Sequence, residues 1–167
     1  WCSSQWPSLS TAPIRGGIPV CWPWFGSHPT EADWPQHGWA RQREWRMLDA
    51  WADGTCEIVC AVTAGRHVPQ ARAWLASRPD PQSMRQGRLR LAFLPFLPQP
   101  DYDRLLAACD LNFVRGEDSL VRALWAGRPF VWQIYPQHDD AHHAKLAAFL
   151  DWLQAPASLR RWHALWN

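Results

Sequence analysis

From Thr55 onward the chain alternates between two periodicities, and that alternation limits its fold more than any other feature. Thr55–Thr63 is a β-branched apolar run of strand length, and Val68–Ser77 carries Ala71, Trp74 and Leu75 at helical spacing. Leu89–Leu94 reads as a second strand, closed by the Pro-rich Leu94–Pro100. Pro100 suits the first turn of a helix through Ala108. Asp110–Val114 is a third strand, nearly all apolar after Asp110, as expected when both sheet faces are covered. The next helix begins inside Glu117-Asp-Ser119 and runs to Trp125; Gly127 stands where a left-handed cap costs least, and Pro129 prevents continuation. Phe130–Tyr135 is a fourth strand. Asp139-Asp140 then caps Ala141–Leu153, whose Leu146, Phe149, Leu150 and Leu153 share one face, and Ser158–Trp166 is a last short helix. Strands separated by single helices imply βαβ units, so the expected fold is α/β, with a parallel, doubly wound sheet.

The first 47 residues break this pattern. Seven of the 14 Trp fall within the first 45 residues, among Gly and Pro and without periodicity. Ile14–Gly26 mixes short β-prone runs with breakers, and Gln36–Arg41 reads as a polar-aromatic loop. This irregular β-prone segment has too little regular apolar surface to hold a core, although it suits edge strands of a larger β structure. The expected division is therefore 1–47, not an independent domain, and 48–167, a domain with a core. The segment is expected to be extended, poorly packed or draped over the second unit, with its Trp side chains exposing apolar surface. The start at Trp1 rather than Met suggests a missing beginning.

Charge and cysteine usage narrow the function classes. A net charge of +2 and the lack of a basic run interleaved with aromatics argue against nucleic acid. No apolar stretch approaches the roughly 20 residues that span a bilayer, so no membrane is expected. Five Cys without a CxxC pair suggest a cytoplasmic protein with buried thiols, Cys56 and Cys60 sharing one strand face, and no metal. His142-His143 reads as structural or exposed. No cofactor is expected.

In an open parallel sheet, ligands bind beyond the carboxyl ends of the strands. Three loops fall there: Phe96–Tyr102, Arg115–Ser119 and Tyr135–Asp140. In the second, a strand ends in Arg115, Gly116 permits close backbone approach, and a helix opens with Glu117, Asp118 and Ser119. Its first-turn N–H groups and dipole suit a diphosphate, to which Arg115 adds a charge-assisted contact. Glu117 suits ribose hydroxyls instead. The plainer alternative is that Asp118 or Ser119 caps the helix and Glu117 meets its dipole. Phe96 and Tyr102 flank Pro98-Gln99 and offer a stacking platform for a base, or else they cap the core. Tyr135 donates to a phosphate or sits at the core edge.

These residues carry a resemblance. Leu48–Gly54, Phe96–Asp103, Cys109–Ser119, Trp125–Gln137 and Lys145–Leu150 closely resemble, in order, the C-terminal half of the EarP family, the elongation factor P arginine rhamnosyltransferases. The resemblance runs from about residue 48 to Leu153. It implies the Rossmann-like half of a GT-B glycosyltransferase that moves rhamnose from dTDP-β-L-rhamnose to an arginine of elongation factor P, with inversion. By motif, Phe96 and Tyr102 would stack around thymine with Gln99 at the base. Arg115, Glu117, Asp118, Ser119 and Tyr135 would surround the ribose and diphosphate. Leu120 stands where the family often has Phe.

The family's N-terminal domain, with the carboxylates that act as general base, has no counterpart motif here. No catalytic residue is therefore assigned, and the chain is expected to be a truncated donor-binding half, inactive alone. Ile14–Gly26 and Gln36–Arg41 instead resemble the early part of a glucose-6-phosphate 1-epimerase. By that resemblance Arg15 and Arg41 would contact a sugar phosphate and His37 would lie near the sugar. The two resemblances meet at Arg46-Met-Leu-Asp-Ala50, as a fusion would leave them. Two other readings are a non-catalytic elongation factor P-binding module and an epimerase fragment.

Overall fold

The computed structural model describes residues 17–22, 38–65, 67–136 and 141–167, with side chains from Glu44 onward. In chain order the elements are β1 (Gly17–Trp22), α1 (Gly38–Ala52), β2 (Glu57–Val62), α2 (His67–Ala76), β3 (Arg85–Gln86) and β4 (Leu89–Phe93). They continue with α3 (Gln99–Ala108), β5 (Leu111–Val114), α4 (Glu117–Ala126), β6 (Phe130–Trp132), α5 (Ala141–Trp152) and α6 (Ala157–Trp166). The strands form one sheet ordered β3-β4-β2-β1-β5-β6. All pairings are parallel except that of β3 with β4.

With the short β3 set aside, the parallel strands stand in the spatial order third, second, first, fourth, fifth. The chain moves outward from β1 through β2 to β4, then returns to the other side for β5 and β6. The direction reverses between β1 and β5, the place where open α/β sheets form a ligand crevice.

Strand alternation distributes the core over both faces. Ile58, Cys60 and Val62 of β2, Phe113 of β5 and Val131 of β6 pack with Leu48, Ala71, Trp74, Leu75 and Trp166. Val114 of β5 and Phe130 and Trp132 of β6 pack with Tyr102, Leu106, Leu120, Leu146 and Leu150. Thus α1, α2 and α6 cover one face, and α3, α4 and α5 the other. Burial raises the Cys60 thiol pKa far above its ordinary value, as expected for an apolar core thiol. Cys56 is exposed, and His142 is buried beside the exposed His143.

Two findings correct the reading of the first 47 residues. Gly17–Trp22 is an interior strand, paired over its whole length with β2 and at Val20 and Cys21 with β5. It is neither an edge strand nor an irregular segment draped over the rest. The sequence hides it because Pro19, which has no N–H to donate, lies mid-strand. Likewise Gly38–Arg41, read as loop, opens a helix that continues to Ala52 and crosses residues 47 and 48. Asp49 on α1 accepts from Trp74 Nε1 at 2.9 Å and pairs with Arg78, tying α1 to α2 and the segment just C-terminal to it.

The short strand β3 and its turn into β4 have no counterpart among the strands expected from the sequence. Gly87 has φ +56°, and a Cβ there would lie 2.3 Å from the Ala52 carbonyl oxygen, so the turn can approach α1 only as glycine. Gly127, by contrast, is the left-handed cap expected for α4, with φ +63°.

Candidate functional site

Of the helices that follow the carboxyl ends of the parallel strands, α3 after β4, α4 after β5 and α5 after β6 carry the predicted site loops at their starts. Asp103 of α3 accepts two 2.8 Å contacts from Arg122 of α4. These residues lie about 6 Å and 7.5 Å along their helices, so the pair holds the two first turns nearly level.

The turn into α4 is built without a forward cap. Its N-cap is Gly116, and no side chain caps the first turn. Ser119 Oγ donates back to the Gly116 carbonyl at 2.7 Å and accepts from the Arg115 N–H at 3.3 Å. Ser119 therefore braces the turn, and the first-turn N–H groups keep no intrahelical acceptor. Asp118 is exposed on the same turn.

Arg115 is buried, its guanidinium lying over the Tyr135 ring at 4.8 Å from the centroid. The contact joins the loops after β5 and β6 and presents a preoriented cation at the edge. Behind it, Trp132 Nε1 donates to the Arg115 carbonyl at 2.8 Å. The Trp132 N–H donates in turn to His163 Nε2 of α6 at 3.0 Å. Asn167 completes this seal of the β6 edge, accepting from the Ile134 N–H and donating to the Trp132 carbonyl. Burial lowers the His163 pKa, which favours the neutral ring that can accept this bond.

Glu117, at the first position of α4, accepts a 2.6 Å hydrogen bond from Lys145 Nζ of α5. That bond holds its carboxyl pKa below the ordinary value, against a smaller opposing effect of burial. Phe96 is 74% exposed in the loop after β4, and Gln99 is exposed as the first residue of α3. Tyr102 lies wholly inside the core beneath that loop. The structure thus brings Arg115, Glu117, Asp118, Ser119 and Tyr135 together around the start of α4, with Phe96 and Gln99 at the start of α3. Arg15 and His37 lie outside the described residues; Arg41 lies in α1, and its side chain is outside the description. Among the described residues, no group of three or more His, Cys, Asp or Glu is placed to hold a metal ion. None of their helices is long and apolar enough to cross a membrane.

The model for the elongation factor P rhamnosyltransferase EarP matches residues 32–167, which include every element from α1 to α6. The chain belongs to the EarP family. A protein-arginine rhamnosyltransferase of Pseudomonas aeruginosa is 56% identical over 85 residues, 47% of this chain and 23% of that protein. That of Pseudomonas putida is 46% identical over 110 residues, 64% of this chain and 28% of that protein. A solved structure giving the structural basis for EarP-mediated arginine glycosylation of translation elongation factor EF-P aligns with a TM-score of 0.61 at 34% identity. The alignment covers 86% of this chain and 41% of the solved one. The chain therefore spans about a quarter of the length of these two relatives. A putative glucose-6-phosphate 1-epimerase of Escherichia coli is 45% identical over 47 residues, 28% of this chain and 16% of that protein.

Three residues of this EarP-family site escaped sequence reasoning: Trp132, Lys145 and His163. Trp132 and Lys145 lie in motifs that carry the family resemblance, but their work is to hold Arg115 and Glu117. Contacts across 17, 28 and 31 residues leave no local spacing by which to recognise them.

Proposed function

We propose that the chain is the Rossmann-like, donor-binding half of a GT-B protein-arginine rhamnosyltransferase and that it binds dTDP-β-L-rhamnose. The observation that carries this reading is the uncapped first turn of α4 beside Arg115, itself stacked on Tyr135 at the sheet's reversal edge. In the proposed pose the diphosphate sits on the α4 N–H groups and Arg115, with Tyr135 and Ser119 close by. Glu117 accepts from the nucleotide's sugar hydroxyl, and Asp118 borders the same turn. Thymine lies on Phe96 near Gln99, and Tyr102 packs under the loop that presents them. Cys56, Cys60 and Cys109 are free thiols, in keeping with a cytoplasmic protein.

In the transfer, a guanidinium nitrogen of the acceptor arginine in elongation factor P attacks the rhamnose anomeric carbon. The bond from that carbon to the diphosphate oxygen breaks, and the configuration inverts. Charge grows on the departing dTDP, where the α4 dipole and Arg115 oppose it in a fixed arrangement. The guanidinium proton must pass to a base on the face opposite the leaving group. Glu117 and Asp118 lie on the diphosphate side in this pose, so the base comes from elsewhere in a full-length enzyme. We propose that this chain alone holds the donor without transferring it.

Titration with dTDP in a calorimeter tests this reading. Saturable one-to-one binding is expected, weakened about 10- to 100-fold in Arg115→Ala by loss of a charge-assisted contact. An absence of heat at millimolar dTDP, with the chain shown to be folded, overturns it.

A further inference from the structure

Lys145 stands one turn into α5, with Nζ 2.6 Å from Glu117 Oε1 and 5.8 Å from the centroid of the Trp132 ring. Both partners of the ion pair are substantially exposed, the lysine side chain at 46% and the glutamate at 61%. Pairs this open add little to folding stability. The consequence of the pair lies in where it holds the carboxylate. Glu117 and Asp118 place two negative side chains in the first turn of α4, where the donor reading needs a diphosphate. An unrestrained Glu117 would oppose that anion. Tied to Lys145, its charge is offset, and its Oε2 keeps lone pairs for a hydroxyl donor. The aromatic face of Trp132 lies beside the ammonium and restricts it from a second side. Trp132 also fixes Arg115 through its indole N–H, so one buried ring stands behind both halves of the grip.

We propose that Lys145 is a positioning residue for donor binding: it holds Glu117 so that the carboxylate accepts from the nucleotide's 3′-hydroxyl instead of opposing the diphosphate. The inference rests on the donor-binding reading above and adds a residue that acts on the nucleotide only through Glu117.

The test compares dTDP with 2′,3′-dideoxythymidine diphosphate, which lacks the hydroxyl, by calorimetry on the whole chain. Lys145→Ala should lower dTDP affinity about tenfold, by losing the hydroxyl contact and turning the freed carboxylate against the diphosphate, and should lower the dideoxy compound's affinity by the second effect alone, about two- to threefold. Lys145→Arg should restore dTDP binding, and Glu117→Gln combined with Lys145→Ala should cost no more than the larger single loss. A merely structural lysine, or one bonded directly to phosphate, would weaken both nucleotides alike, and that result overturns the inference. Equal dTDP affinity in Lys145→Ala and the original chain overturns it too. In both cases the donor-binding reading stands. If the folded original chain binds neither nucleotide, that reading fails and the inference falls with it.

Discussion

Replacing Trp132 with Phe tests whether the proposed donor grip at Arg115 depends on the hydrogen bond behind it. The indole N–H donates to the Arg115 carbonyl, and both residues are buried. Phe keeps most of the ring contact with Phe149, now 5.2 Å between centroids, but leaves that carbonyl without its donor. An unpaired buried carbonyl costs about 1–3 kcal/mol, and the missing ring atoms add roughly 1 kcal/mol of lost packing. A total of about 2–4 kcal/mol lowers the melting temperature by about 5–12 °C for a chain of this length. The Arg115 backbone would then be free to shift, and dTDP affinity should fall about tenfold. Gly87→Ala is the control, since it destabilises the turn before β4, at the opposite edge of the sheet. Calorimetric dTDP titration well below both melting temperatures separates the effects. If Trp132→Phe melts early but binds dTDP as the original chain does, the grip does not depend on this bond, and the reasoning fails.

Gly87→Ala should itself cost about 2–4 kcal/mol in urea denaturation, because it combines positive φ with a 2.3 Å approach to the Ala52 carbonyl. The His163 pKa is lowered from 6.5 in the folded chain, so the unfolded chain binds its proton first as pH falls. Its contribution to stability should be complete above about pH 6.5 and be lost as pH falls through the folded pKa. Urea midpoints between pH 7.5 and 5 should show this decline, and His163→Gln should flatten it. Deleting residues 1–37 removes β1 and leaves the facing edges of β2 and β5 unpaired. That chain should show no cooperative unfolding transition and should self-associate on size exclusion; a stable monomer with native circular dichroism would contradict the sheet order.

The elements from β2 to α6, other than β3, were legible because their signals are local. Apolar runs of strand length, helical spacing such as Leu146–Leu150, and the Gly127-Arg128-Pro129 stop each act within a few residues. The Arg115–Ser119 turn was legible for the same reason. The choice left open there, a capped helix or an uncapped one, needed coordinates: Gly116 is the cap residue, and Ser119 bonds backward. β1 was illegible because its evidence lies in β2 and β5, whose edges supply the pairing that Pro19 and the flanking glycines argue against. The unequal settings of Phe96 and Tyr102 were hidden too, since one turn of α3 carries Tyr102 into the core while Phe96 stays in the loop. Lys145 and His163 act through contacts between elements far apart in sequence, which only the tertiary arrangement supplies.

The proposed nucleotide-sugar site lies at the carboxyl edge of the sheet, where α3, α4 and α5 begin. Amide and indole chemical shifts followed by NMR during titration with dTDP-β-L-rhamnose test it most directly. Binding at this edge predicts shifts concentrated at Phe96–Gln99, Glu117–Ser119, Tyr135 and the Trp132 indole. Residues at the opposite edge, such as Gly87 and Gly127, should stay unmoved. A folded spectrum that does not change at millimolar ligand, or shifts gathered at the Gly87 and Gly127 turns, would contradict it.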